Sequence, residues 1–349
     1  MTPMGMTKIV IRITRAAVPM IMVGPVAIVP ERQGQGFGRA LMAAQAEAIE
    51  DARMQGAPAL PQVLIGDAPY YGKFGFAEAP RGWTCPGPWD PARLLVRGVK
   101  MYADGALGSR GAWLKKPYAD DPGNTGLPLM NQAQFRNTLV RAGLGNFQVA
   151  AHAIGDAANA EVLNAVAEVG ESFKGDRRWR IEHAQVVDPA DLARFGKHGI
   201  IASMQPVHQT SDRLMAEARL GPARLAGAYA WRSIADTGAR LAFGSDAPVE
   251  LPDVFAGLAT AFTRTDAAGE PFGGWRPEQR VTREEALAAY TAGAAYAGFA
   301  EGRFGKLAAG ERADFVLVDR DPLLATPAEL RAAKVLETWV GGMRVFAAP

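Results

Sequence analysis

The sequence predicts an α/β protein: a partial (β/α)8 TIM-type barrel, preceded by a partial α/β segment and followed by a small C-terminal β unit. Three observations predict it. From residue 98 onward, short β-branched apolar runs alternate with stretches of helical length, the rhythm of right-handed βαβ units on a parallel sheet. Polar residues of ligating type, Asp104, His152, His183 and Asp246, sit at or just after those runs, where a parallel barrel presents its functional groups. Before residue 98 the pattern differs, with a Gly-rich turn between an apolar run and a helical stretch.

Taken in order, residues 9–14, 21–29 and 63–65 read as strands, 39–55 as a helix and 83–91 as a Pro- and Gly-rich loop. Beyond residue 97, strands are expected at 99–103, 147–151, 179–182, 200–204 and 240–243. Helices are expected at 131–142, 157–169, 189–198, 225–237 and 283–297. Thr282-Arg283-Glu284-Glu285 is a capping box, in which the Thr hydroxyl and the Glu carboxylate satisfy free amides at a helix start. In the tail, 313–319 and 335–345 are β-branched runs separated by Asp-Pro and Gly-Gly. The domains expected are therefore 1–97, 98–300 and 301–349. Five barrel strands fall three short of eight, and the N-terminal segment supplies three candidates, so one expectation is that these complete the barrel. Otherwise the sheet keeps two open edges, for which a second copy of the chain is the expected cover.

Composition narrows the function classes. A net charge of +2 gives no electrostatic case for nucleic acid or a membrane surface as partner. The single cysteine, Cys85, excludes an intrachain disulfide and suits a reducing, cytoplasmic setting. Residues 16–29 are mostly apolar behind Lys8, Arg12 and Arg15, but Pro19, Gly24 and Pro25 interrupt them and no small-x-small cleavage site follows, which argues against a signal peptide.

Gln33-Gly34-Gln35-Gly36-Phe37-Gly38-Arg39 opens a helix after a predicted strand. Glycines there let backbone amides approach an anion, and the helix N-terminus adds partial positive charge; a plain strand-to-helix turn has the same look. With Val26-Ala27-Ile28-Val29 before it, the stretch resembles the pyrophosphate loop of GNAT acetyltransferases. Gly66-Asp67-Ala68-Pro69-Tyr70-Tyr71-Gly72-Lys73-Phe74-Gly75-Phe76 looks like a second stretch of that family. The resemblance covers about residues 20–97. It implies acetyl-CoA bound by Gln33, Gly34, Gly36, Gly38 and Arg39, with Tyr70 or Tyr71 as general acid toward the departing thiolate.

The later motifs suit metal-assisted hydrolysis. Neutral imidazoles at His152 and His183 are good Zn²⁺ ligands, and Asp246 after the last barrel strand is placed to take a proton from an attacking water. Gly98-Val99-Lys100 … Asp104-Gly105, His152-Ala153-Ile154-Gly155-Asp156, Glu182-His183-Ala184-Gln185, Gly244-Ser245-Asp246-Ala247-Pro248 and Gly305-Lys306-Leu307 follow one another in order. Together they resemble the C-terminal part of the amidohydrolase superfamily over about 98–346, closest to its N-substituted formamide deformylase-like branch, and the resemblance implies that the strands here are four to eight of the family's barrel. The resemblance implies a metal held by Lys100, His152, His183 and Asp246, with Lys100 carboxylated by CO₂, and one or two zinc ions. The family's opening His-x-His pair has no counterpart, since the chain's four histidines are His152, His183, His198 and His208. His208, after Met204-Gln205-Pro206, is placed to touch substrate; His198 reads as a helix C-terminus.

Three readings stand on the sequence. The leading one is a hydrolase of non-peptide C–N bonds in a small amide-type substrate. The second is a coenzyme A-dependent acyltransferase or coenzyme A-binding module, with Tyr71 in its mechanism. The third is an inactive fusion of two partial cassettes.

Overall fold

A computed structural model describes residues 7–13, 16–22, 42, 62–65, 76–78, 83–84, 94–144, 147–173, 175–247 and 249–349. The chain divides into two compact units, residues 1–101 with 136–150, and residues 102–135 with 151–349.

The first unit holds a six-stranded sheet of β1 (Thr7–Ile13), β2 (Ala16–Met22), β3 (Gln62–Ile65), β4 (Ala77–Glu78), β5 (Trp83–Thr84) and β6 (Leu94–Arg97), in the order β4-β6-β3-β2-β1-β5. β1 and β2 run antiparallel from Thr7 opposite Met22 to Ile13 opposite Ala16. Pro19 lies within β2, yet β3 pairs with β2 only at Ile21 and Met22. The proline thus occupies a length of strand that β3 does not need as a donor. The expectation that residues 9–14, 21–29 and 63–65 complete the barrel is overturned for their described parts, because residues 9–13, 21–22 and 63–65 belong to this separate sheet; residues 14 and 23–29 lie outside the described residues. β1 and β2 spend their backbone groups on each other antiparallel, and β3 and β6 do likewise, whereas a barrel strand needs parallel neighbours.

A five-stranded sheet follows from β7 (Val99–Tyr102), β8 (Val149–Ala153), β9 (Arg180–His183), β10 (Ile201–Met204) and β11 (Leu241–Phe243). Its order, β11-β10-β9-β8-β7, keeps chain neighbours adjacent, and β9, β10 and β11 pair parallel. This is the run of barrel strands the apolar segments predicted. Ile181, Ile201, Ala202 and Met204 are buried, as parallel strands covered on both faces require. A third sheet, β12 (Phe315–Val318), β13 (Val335–Val340) and β14 (Met343–Ala347), is the antiparallel tail unit.

The helices depart more from expectation. α1 (Gln132–Leu144) and α2 (Asp156–Gly170) stand where the periodicity put them. The stretch 189–198 instead divides into a 3-10 turn at Pro189–Asp191 and α3 (Ala193–Lys197). α4 (Pro206–Leu220) was not foreseen. The helix expected at 225–237 is a 3-10 turn, Pro222–Gly227, and a short α5 (Trp231–Ala235). Backbone pairing breaks it. Val187 N donates to Gly227 O at 2.9 Å and Tyr229 N to Gln185 O at 2.7 Å, and a Cβ on Gly227 would stand 1.6 Å from Val187 O. α6 (Val254–Thr263), also unforeseen, is capped by Asp253, which accepts from Phe255 N and Ala256 N.

The last barrel helix starts as α7 (Arg283–Ala288), widens into a π turn at Ala289–Gly293 and resumes as α8 (Ala294–Ala297). Gly293 packs so closely on β11 that a Cβ there would stand 2.3 Å from Leu241 O. The predicted capping box is present: Glu285 N donates to Thr282 Oγ1 at 3.1 Å and Thr282 N to Glu285 Oε2 at 2.7 Å. Thr282→Ala is expected to cost about 1 kcal/mol, read as a lower urea midpoint at unchanged slope. α9 (Pro327–Arg331) has a second such box at Thr326.

Candidate metal centre

The site gathers at the C-terminal ends of the barrel strands of the second unit. His152 is the penultimate residue of β8, His183 the last of β9, and Asp246 follows β11 by three residues. His208, from the first turn of α4, is buried beside them rather than at a strand end. Ligand atoms of His183, His208 and Asp246 all lie within 4.8 Å of one another. The His152 and His183 rings meet edge to face with centroids 4.6 Å apart, and the His183 and His208 rings stack at 6.1 Å.

Backbone strain accompanies this convergence. His183 (φ 74°), Ala184 (φ 44°) and Asp246 (φ 57°) occupy the left-handed region without being glycine. Each such residue costs on the order of 1–3 kcal/mol, and such residues concentrate at functional sites, where the surroundings hold them.

Polar neighbours orient the imidazoles. His183 Nδ1 lies 2.9 Å from Gln205 Oε1; a carbonyl oxygen accepts, so Nδ1 carries the proton and Nε2 keeps its lone pair. His208 Nε2 is buried with no hydrogen-bond partner among the described residues, an arrangement that costs free energy unless something completes it. Gln185, two residues past His183, donates through Nε2 to Asp212 Oδ2 at 3.0 Å and to the Tyr229 hydroxyl. The Tyr229 hydroxyl donates to the same Asp212 oxygen at 2.8 Å, and burial first, then Asp212, holds its pKa well above the ordinary value. Asp212 and Tyr229 escaped the sequence reading because no local motif marks them.

Asp104 is the structural knot of the site. It is fully buried and accepts three backbone amides, Trp113 N at 2.8 Å, Ile154 N at 3.0 Å and Gly155 N at 2.8 Å. Its Oδ1 lies 3.6 Å from His152 Nε2. Burial pushes the carboxyl up to about 7, against the pull of those amides. Gly155 leaves no room for a side chain, since a Cβ would stand 2.0 Å from Trp113 O.

The other predicted residues divide. Lys100 lies half-buried on β7, in the first unit. Arg110 pairs with Asp120 at 3.0 Å. His198 caps the C-terminus of α3. A helix C-terminus favours a cation, but burial, Lys197 and Arg194 disfavour the charged imidazole there. Gln33, Gly34, Gly36, Gly38, Arg39, Tyr70 and Tyr71 lie outside the described residues.

A parallel αβ sheet with two imidazoles and a carboxylate at its strand ends defines the class of barrel proteins built to hold a metal ion there. The chain belongs to the amidohydrolase family, whose model, Amidohydro_3, matches residues 38–346. It is 34% identical over 248 residues to YtcJ of Bacillus subtilis, covering 71% of this chain and 46% of that protein. It is 27% identical over 281 residues to the N-substituted formamide deformylase of Arthrobacter pascens, covering 77% and 49%. Among solved structures, an uncharacterized metal-dependent hydrolase from Pyrococcus horikoshii OT3 superposes with a TM-score of 0.60 at 30% identity, covering 74% of this chain and 50% of that one. The chain thus spans about half the length of the curated relatives it matches. The family match takes in residues 38–97 as well, and the acetyltransferase reading of that stretch gains no support from fold or relatives.

Proposed function

We propose that the chain carries a metal-dependent hydrolase site acting on a non-peptide C–N bond of a small amide or formamide. The observation that carries this reading is the convergence of His183, His208 and Asp246 from three separate elements to within 4.8 Å. Two imidazoles and a carboxylate are a donor set of catalytic zinc sites. The orphaned His208 Nε2 and the Gln205-fixed tautomer of His183 fit a cation between them.

His183, His208 and Asp246 would hold the ion, with His152 beside them as a further ligand. A divalent ion supplies Lewis-acid polarisation of the scissile carbonyl and lowers the pKa of water toward neutrality. Asp246 is exposed, and the carboxylate oxygen not spent on the ion would take the proton from the attacking water and pass it to the departing nitrogen. Gln205 and Asp104 hold the imidazoles in register. A second copy of the chain is the partner proposed for the β7 edge.

Elemental analysis of purified, monodisperse protein tests the reading. About one metal ion per chain is expected, zinc foremost, and it should disappear in His183→Ala/His208→Ala with the thermal transition retained. Protein that takes up no stoichiometric metal after zinc loading and dialysis would remove the ground for a hydrolytic site.

A further inference from the structure

A cleft of about 520 Å³ lies in the second unit, where the C-terminal ends of α2 and α3 meet the approach to β9. Gly170, Glu171, Arg177, Arg194, Lys197 and His198 line it. It belongs to the opposite end of β9 from His183, because Arg177 precedes the strand whose last residue is that histidine. Among the described residues, the charges facing it are Arg177, Arg194 and Lys197 against one carboxylate, Glu171, with the titratable His198 among them.

These cations are unequally committed. Arg194 donates to Asp191 at 2.9 Å and to Asn164 at 2.7 Å. Lys197 has no carboxylate partner among the described residues. Arg177 stacks its guanidinium on the Trp179 ring at 4.7 Å and spends Nη2 on a long bond, 3.4 Å, to Gly170 O. Its Nη1 is buried with no acceptor among the described residues. Arginines near a helix C-terminus commonly serve its free carbonyls, and Nη2 does so here. Nη1 has no such employment. A buried charged donor without an acceptor is costly, and a planar guanidinium fixed on an aromatic face is already arranged for an oxyanion.

We propose that this cleft is a second ligand site, which binds a small oxyanion, a phosphate- or carboxylate-bearing metabolite, between Arg177 and Lys197. The helix ends contribute partial negative charge, so the attraction comes from the side chains, whose formal sum at the cleft is positive. Burial, Lys197 and Arg194 hold the His198 imidazole below its ordinary pKa. An anion seated among these groups offsets the last two causes and raises the His198 pKa, which makes the ring a reporter. The proposal does not depend on the metal-site reading.

The protein has four histidines, so ¹³C-labelled imidazole gives four resonances, with His198 assigned by its loss in His198→Gln. The full chain is titrated with inorganic phosphate and, separately, acetate, each against chloride at equal ionic strength. A saturable rise of the His198 pKa with phosphate or with acetate is expected, and whichever ion saturates first identifies the anion class. Lys197→Met should weaken that binding about tenfold, a loss on the scale of one charged contact, while leaving the unfolding midpoint in place. Arg177→Met should abolish it, and if that variant fails to fold, Lys197→Met carries the test. A His198 response no larger than chloride produces, or one unchanged in Lys197→Met, would overturn the proposal.

Discussion

Asp104→Ala is expected to lower the stability of the second unit by about 3–5 kcal/mol. The side chain is fully buried, and its two oxygens satisfy the backbone amides of Trp113, Ile154 and Gly155. Truncation leaves those three donors without their acceptor, each worth about 1–3 kcal/mol when desolvated. It also opens a void too tightly framed to collapse, because Gly155 already touches Trp113. Asp104→Asn keeps one acceptor oxygen and should lose less. Urea unfolding of both variants measures the difference; an Ala variant within 1 kcal/mol of the parent would mean that water replaces the carboxylate.

The second large effect belongs to His183→Ala. Under the proposed chemistry, hydrolysis of a responsive amide should fall by roughly a thousandfold or more, about 4 kcal/mol of transition-state stabilisation. Metal content should fall with it. Gln205→Leu separates orientation from ligation: His183 stays but loses the acceptor that holds its Nδ1 proton, so metal affinity should drop about 10–100-fold. Equal metal affinity in Gln205→Leu and the parent would show that the tautomer is set elsewhere.

The reasons some of this was legible in the sequence, and some not, are physical. β8 to β11 show as apolar runs because parallel strands are covered on both faces. Asp104, His152, His183 and Asp246 were visible for a related cause, since strand ends put their polar residues directly after those runs. α4 was invisible because the face it buries includes His208 and Gln209, so no apolar stripe marks it. α6 hid for the opposite reason: Gly257 to Ala261 are all buried, and a helix apolar all round has no periodicity. His208 therefore reads in the sequence as a residue placed to touch substrate rather than as one of a ligand set. The Gln185–Asp212–Tyr229 contacts join elements far apart in sequence, and no local spacing encodes them.

The π turn bears on how the molecule avoids sticking to its own kind. Ala202 N takes Arg240 O, and in a parallel ladder the next residue's groups point the other way. Leu241 O therefore looks out along the side of β11 that no strand pairs among the described residues. Gly293 sits against that very oxygen. The widened helical turn thus acts as a doorstop: an incoming strand could not dock on β11 without first levering the helix aside. A bulkier residue at 293 would push the turn off and uncover the oxygen. Self-association under mild heating, set beside the parent protein, is where that exposure would first become visible.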